Sequence, residues 1–433
     1  MFETLRNAWK YQDLRKKLLY TLLIVLLFRL GSAVPVPFLD PTAIGQMFKT
    51  INTGGNVLGY LDILTGGAFS QATVFALSIT PFINSSIIMQ LLTVAIPALG
   101  RMQKEGEEGR KRIEKITRYV TMGIALLLST GFYFTLRNQY NAVLYTNTNI
   151  WTQIFVAAVI VMSFTAGSAL IVWLGERINE KGIGNGISII LFAGIVSRGP
   201  AAIGGLYNML KIGGLYYLWV PLIVVLFFMT VAFIIVMNNA ERRIPIQYAK
   251  RVVGRKMYGG QSTHIPIKVA MSGVMPIIFA SSFVSLPGII LSFLNLQEGT
   301  TWYRILSVFK VNSWLYAVVY FVLIIAFNYF YVAIQYDPIE IANNLRKNNG
   351  TVPGIRPGKT TSDFIRRILN RITFVGAVFL GIIAVLPIVL GAITKSSIGL
   401  GGTTILILVG VALETVRQTE SQMMMRHYKG FLE

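Results

Sequence analysis

The sequence predicts an all-α, polytopic membrane protein with ten transmembrane helices, and three observations predict it. Hydrophobic residues make up 54% of the 433 positions and charged residues only 13%, about half the charged share of an ordinary soluble domain. Ten apolar runs reach spanning length, at roughly 18–37, 72–97, 119–136, 152–174, 185–203, 217–237, 269–293, 313–335, 370–391 and 401–416, each near the ~20 residues that cross a bilayer core. The Lys and Arg residues gather in alternate connections between those runs, which is how a multi-pass chain records its orientation.

The first run follows Arg15, Lys16 and Lys17. A basic flank before an apolar stretch also opens a secretory signal. Here nine further runs follow, and Pro35-Val36-Pro37 is not a small-residue cleavage site, so the run reads as a retained span. Next comes Asn56 to Ala68, half-apolar, too short to span and carrying Gly59, Gly66 and Gly67, the pattern of a broken or re-entrant helix at membrane depth. The second run is interrupted by Pro81, by Asn84, Ser85 and Ser86, and by Gln90. Amides and freed backbone groups are tolerated within hydrocarbon only where protein or a water-filled cavity meets them, so this helix is expected to line an internal path.

In the remaining runs no Asp or Glu occupies a central position: Glu176, Asp337 and Glu414 lie at or near run ends, and Asp62 lies in the broken segment. Arg29 sits near the outer end of the first run, where its head can snorkel to the surface.

The N-terminal stretch, the connections 98–118, 175–184, 238–268 and 336–371, and the tail from 417 together hold 31 of the 39 Lys and Arg residues. The positive-inside rule makes this set cytoplasmic, with both termini inside. Subtracting the carboxylates of the same segments leaves a strongly positive face, more than topology requires. Such a face suits an acidic or polyanionic docking partner, with attraction to anionic lipid as the plainer alternative.

Several chemistries are excluded or disfavoured. A proton-coupled transporter needs an intramembrane relay of ionisable groups, and an intramembrane protease needs a histidine or carboxylate at membrane depth; His264 and His427 both fall in the basic segments. Catalytic and metal-binding residues are therefore expected to be none, with no cofactor, and the chain is not expected to be an enzyme. The absence of cysteine excludes disulfides and thiolate chemistry. Gly354 to Thr360 (GIRPGKT) mimics a phosphate-cradling loop, but only three residues separate its glycines where that motif has four, Pro357 removes an amide, and no strand-like run precedes it. It reads instead as a rigid turn presenting Arg356 and Lys359.

The stretch Phe75 to Leu92 (FALSITPFINSSIIMQLL) resembles the second-span signature of the SecY family, the central subunits of bacterial protein-translocation channels. The resemblance continues, in the family's order, through Lys104 to Arg112 (KEGEEGRKR), Gly182 to Ser188 (GIGNGIS), Gly273 to Ser282 (GVMPIIFASS), Val352 to Gly358 (VPGIRPG) and Gly401 to Thr403. Ser78 departs from it, since the family signature more often has glycine there.

The resemblance implies two pseudo-symmetric five-helix halves around a central pore. Residues 18–203 would hold spans one to five and 204–416 spans six to ten, with cytoplasmic loops 238–268 and 336–369, a cytoplasmic N-terminus over 1–17 and a tail over 417–433. It implies an apolar constriction formed here by Ile79, Ile83, Ile187, Leu191, Ile278 and Ile407. A plug near 59–67 would comprise Gly59, Tyr60, Leu61, Asp62, Ile63, Leu64, Gly66 and Gly67. A lateral gate would pair Asn84, Ser85, Ser86 and Gln90 with Ser281, Ser282, Ser285 and Leu286. Docking of a motor or ribosome would fall on Lys250, Arg251, Arg255, Lys256, Arg356 and Lys359. The implied partners are small subunits of the SecE and SecG kind, the SecA ATPase, the ribosome, signal sequences and secretory precursors, and membrane lipid. The implied function is a channel that passes unfolded secretory chains across the membrane and releases apolar segments sideways; the alternative is a small-solute secondary transporter.

Overall fold

Every one of the ten apolar runs contains a helix in the computed structural model, which describes residues 6, 8–40, 42–44, 62, 65–138, 141–145, 149–214, 216–248, 251–253, 256–258, 262–294, 314–394 and 402–429. In chain order the helices are α1 (Gln12–Gly31), α2 (Thr80–Ala95), α3 (Pro97–Lys104), α4 (Glu107–Asn138), α5 (Ile150–Lys181), α6 (Gly186–Ser197), α7 (Gly199–Ile212), α8 (Tyr216–Asn239), α9 (Met275–Leu294), α10 (Trp314–Gln335), α11 (Pro338–Lys347), α12 (Lys359–Thr394) and α13 (Gly402–Lys429). The α6–α7 pair supplies the fifth run. Large apolar side chains stand bare on the outer faces, among them Leu22 and Leu26 on α1 and Leu218, Val225 and Phe228 on α8. A helix with apolar residues on its bare face is matched to lipid, not water.

Two expectations about the first spans are corrected. Helix α1 begins before the first apolar run and ends at Gly31, where the Ser32 hydroxyl donates to the Phe28 carbonyl at 2.9 Å. In the second run, residues 72–79 are turns apart from an isolated bridge of Thr73 to Pro35, and the helix starts only at Thr80, so Pro81 does not interrupt it. Pro81 falls in the first turn, where its missing N–H has no intrahelical partner to lose. The polypeptide then bends by 102° between α2 and α3, with Pro97 opening α3.

The irregular stretch 65–79 survives because its polar groups are satisfied locally and by a close neighbour. Val74 N–H donates to the Val34 carbonyl, Val36 N–H to Ala72, and Ser78 N–H to Phe75. Helix α5 approaches with Gly167 and Ser168. A Cβ on Gly167 would lie 1.9 Å from the Val74 carbonyl oxygen, and Ser168 donates to the Ser78 carbonyl at 2.9 Å. Phe69 stacks on Phe132 of α4 with ring centroids 4.5 Å apart, inside an apolar cluster shared with Phe164 of α5.

The second helical group, α8 to α13, is tied by a buried amide. Asn328 of α10 accepts from Ser272 and donates to the Thr373 carbonyl of α12 at 2.9 Å. One amide thus joins three chain segments whose apolar faces alone would not set their register.

The connection 238–268, expected as a loop, is largely strand: β1 (Glu241–Tyr248), β2 (Arg251–Val253), β3 (Lys256–Tyr258) and β4 (Ser262–Lys268). β1 pairs antiparallel with β4, and its end pairs with β5 (Gly350–Thr351), which belongs to the later connection. Ile244, Ile246 and Ile267 point from this sheet onto Leu345 of α11 and onto Ile365 and Leu369 of α12. The two long basic connections are therefore one packed unit. The second of them is also shorter than expected, since α12 starts at Lys359, not near 370.

Candidate functional site

Ile79 caps the N-terminus of α2, and Ile83 stands one turn further on, so both side chains share a helix face. Ile187 and Leu191 repeat this spacing on α6. Their placement follows from the turn between α5 and α6. Gly184 takes φ +87°, and a Cβ on Gly186 would lie 1.9 Å from the Gly175 carbonyl oxygen. Asn179 accepts from the Gly186 N–H at 2.7 Å, and the Asn185 side chain caps α6 by accepting from the Ile187 and Ser188 amides. A turn this close-packed leaves α6 one way to leave α5.

Ile278 comes from α9 and Ile407 from α13. All six of these aliphatic side chains fall in a single apolar cluster: Ile79, Leu191 and Ile407 are buried in it, and Ile83, Ile187 and Ile278 are packed against it half-buried. Four helices that are distant in sequence thus contribute to one apolar centre.

Of the segment 59–67, Asp62, Gly66 and Gly67 lie within the described residues, and Gly59, Tyr60, Leu61, Ile63 and Leu64 lie outside them. Gly66 and Gly67 take φ +67° and +92° in a turn, not in the half-helix expected there. Arg29 does not snorkel free: it donates to the Gly66 carbonyl at 3.1 Å and to Ser197 Oγ at 3.3 Å. Asp62 is buried and forms an ion pair with Arg198. The sequence reading missed Arg198; an arginine inside an apolar run calls for a partner, but no local spacing points from it to Asp62.

On the proposed gate, α9 packs against α2 and α4. Ser85 is fully buried and donates to the Pro81 carbonyl of its own helix at 2.7 Å, and Ser281 likewise donates to the Ile278 carbonyl at 2.9 Å. Asn84, Ser86 and Gln90 are half-buried on α2, and Ser282 is half-buried on α9; the side chains of Ser285 and Leu286 lie outside the described residues.

Arg356 and Lys359 are exposed. The turn that carries Arg356 is fixed: Thr361 donates to the Arg356 carbonyl at 2.8 Å, Gly354 and Gly358 take φ +78° and +109°, and buried Val352 roots it in the cluster under β1. Arg251 opens β2 and Lys256 opens β3, while Lys250 and Arg255 lie outside the described residues.

Solved structures share this architecture. It superposes with a TM-score of 0.64 on a SecY channel described by a plug domain that stabilises the closed state and maintains a membrane seal, at 17% identity over 94% of this chain and 92% of that one. A Sec61 channel from a canine ribosome–channel complex gives 0.59 at 16% identity, over 94% of this chain and 92% of that one. The fold is thus that of the polytopic protein-conducting channels. The SecY family model matches residues 73–416, and the protein translocase subunit SecY of Thermotoga maritima is 44% identical over 437 residues, covering 100% of this chain and 98% of the relative. The chain belongs to the SecY family, and it is a multi-pass protein of the plasma membrane.

Proposed function

We propose that this chain is the conduit itself: it passes unfolded secretory polypeptides across the membrane and releases apolar segments sideways into the bilayer. What supports the reading most is the convergence of Ile79, Ile83, Ile187, Leu191, Ile278 and Ile407 on one apolar centre. A narrow neck of branched aliphatic side chains excludes water and ions, yet has no hydrogen bonds to break when it spreads around an extended chain. The segment around 59–67 serves as the plug beneath it. The α2–α9 seam serves as the lateral gate.

Energy for transport comes from outside the chain. An apolar signal of roughly ten Leu-like residues gains about 3 to 6 kcal/mol on entering the membrane, and turning a two-state gate from mostly shut to mostly open takes about 5.5 kcal/mol. A signal alone is therefore marginal, and a priming partner on the basic face closes the gap. The exposed turn at Arg356 and the neighbouring sheet suit that role, with a SecA-type ATPase or a ribosome as the partner and SecE- and SecG-type small subunits bracing the helices. The basic connections and both termini face the cytoplasm in this reading. Vesicles holding the chain with its small subunits and the motor are expected to take up a soluble secretory precursor when ATP is present. Failure to do so, with correctly inserted channel, would refute it.

A further inference from the structure

Two arginines from different helices converge on the short stretch from Asp62 to Ser70. Arg198, at the junction of α6 and α7, is ion-paired to Asp62 and directs Nη2 at Ser70 Oγ, 3.5 Å away. The Asp62 carboxylate also accepts the Ser70 N–H at 2.7 Å, and the Asp62 carbonyl accepts from the Gly67 N–H at 2.9 Å and the Thr65 hydroxyl at 3.1 Å. Arg29 reaches the same stretch from α1 through the Gly66 carbonyl. There is no slack at the contact: a Cβ on Gly66 would lie 2.5 Å from Ser197 Oγ and 2.8 Å from the Gly194 carbonyl oxygen.

The charges make this contact easy to exchange. Two guanidinium groups reach this stretch, but only Arg198 pairs with the Asp62 carboxylate while Arg29 bonds the Gly66 carbonyl and Ser197 Oγ, and Arg198 Nε is buried without a partner. A buried ion pair of this kind contributes little net stability against full hydration, yet removing one member is severe because the other charge stays behind. Water entering around Asp62 would satisfy all three groups at once, so the contact suits a hold-and-release element better than a permanent strut.

We propose that Arg198 and Arg29 are positioning residues that clamp the foot of the plug, so that the Asp62–Arg198 pair sets how often the resting channel opens. The inference rests on reading 59–67 as the plug. Its test is resting ion conductance of the full chain in planar bilayers. Asp62→Asn and Arg198→Gln are each expected to raise conductance roughly tenfold or more, less than the loss of a fully buried pair would give because Arg198 is partly exposed. Their combination is expected to add little beyond either change alone. Gly66→Ala, which forces the foot away from α6 without altering charge, is expected to act in the same direction. Adding Arg198→Gln to a channel that lacks Tyr60 to Thr65 is expected to change nothing further. If the deletion leaks but the three substitutions do not, the clamp is wrong and the plug reading stands. If the deletion itself leaves conductance unchanged, the plug reading fails and takes the clamp with it. If Arg198→Gln leaks further in the deleted channel, Arg198 acts elsewhere and the clamp is again refuted.

Discussion

Ser168 donates its hydroxyl to the backbone carbonyl of Ser78 at 2.9 Å, joining residues 90 positions apart. Ser78 itself takes φ +48°, a left-handed conformation that costs a non-glycine residue about 1 kcal/mol or more. The bond from α5 helps to hold that strained residue directly before Ile79. Ser168→Ala is expected to lower thermal stability by about 1 to 3 kcal/mol, because a buried carbonyl loses its donor. Ser78→Gly is expected to raise it. Opposite shifts in unfolding temperature, measured in one detergent, check both signs.

Orientation is open to chemical labelling because the chain has no cysteine. Single cysteines at Lys256 and Lys359 are expected to react only from the cytoplasmic side, and those at Asn141 and Lys211 only from outside. Swapped labelling of either pair overturns the orientation.

Arg356→Glu leaves the turn intact, since the turn is held by Thr361, Val352 and two glycines rather than by the arginine side chain. The variant is expected to insert normally while losing most motor-driven or ribosome-coupled translocation, because a reversed charge sets repulsion against an acidic partner. Unchanged transport with unchanged partner affinity would reduce the loop to a topology signal.

Replacing Ile83 and Ile278 together with Asn is expected to wet the apolar centre and raise resting conductance. Both are only half-buried, so amides can be accommodated there without wrecking the core. Conductance no higher than that of the parent channel, and in the channel lacking Tyr60 to Thr65 no higher than the deletion alone gives, would mean that these side chains do not line the neck.

Cysteines at Asn84 and Leu286 test the seam between α2 and α9. A disulfide forms if their Cα atoms come within about 7 Å, and oxidation is then expected to block translocation and sideways release, with reduction restoring both. Full activity of a fully crosslinked channel places the moving seam elsewhere.

The helices were legible because each needs only one predominantly apolar run of local sequence, and every run contains helix. Pairings between distant residues were not. The alternation of Ile244 with Ile246 and of Ile265 with Ile267 is a period-two signal, but Pro245 and Pro266 lie in the middle of each pattern, and a proline cannot donate to a strand ladder. They are tolerated because β5 pairs with β1 only at Gln247 and Tyr248, which leaves Pro245 with a strand on one side alone. Asp62 was visible as a carboxylate at membrane depth; its partner was not, because Arg198 lies in another run and no local spacing joins them. Pro81 misled for the opposite reason. It read as a break, and its position in the first turn became apparent only once residues 72–79 proved irregular.

The sheet that joins the two basic connections also imposes an order of events on the ribosome that makes this protein. β1 and β4 can zip together as soon as Lys268 has emerged, but β5 and the underlying Ile365 and Leu369 come about a hundred residues later in a chain made from its N-terminus. Until then the isoleucines of the hairpin have no cover, and the turn bearing Arg356 does not exist. If this face is the docking surface proposed above, a half-made channel has no finished landing surface until Leu369 has been made, at the start of its ninth span.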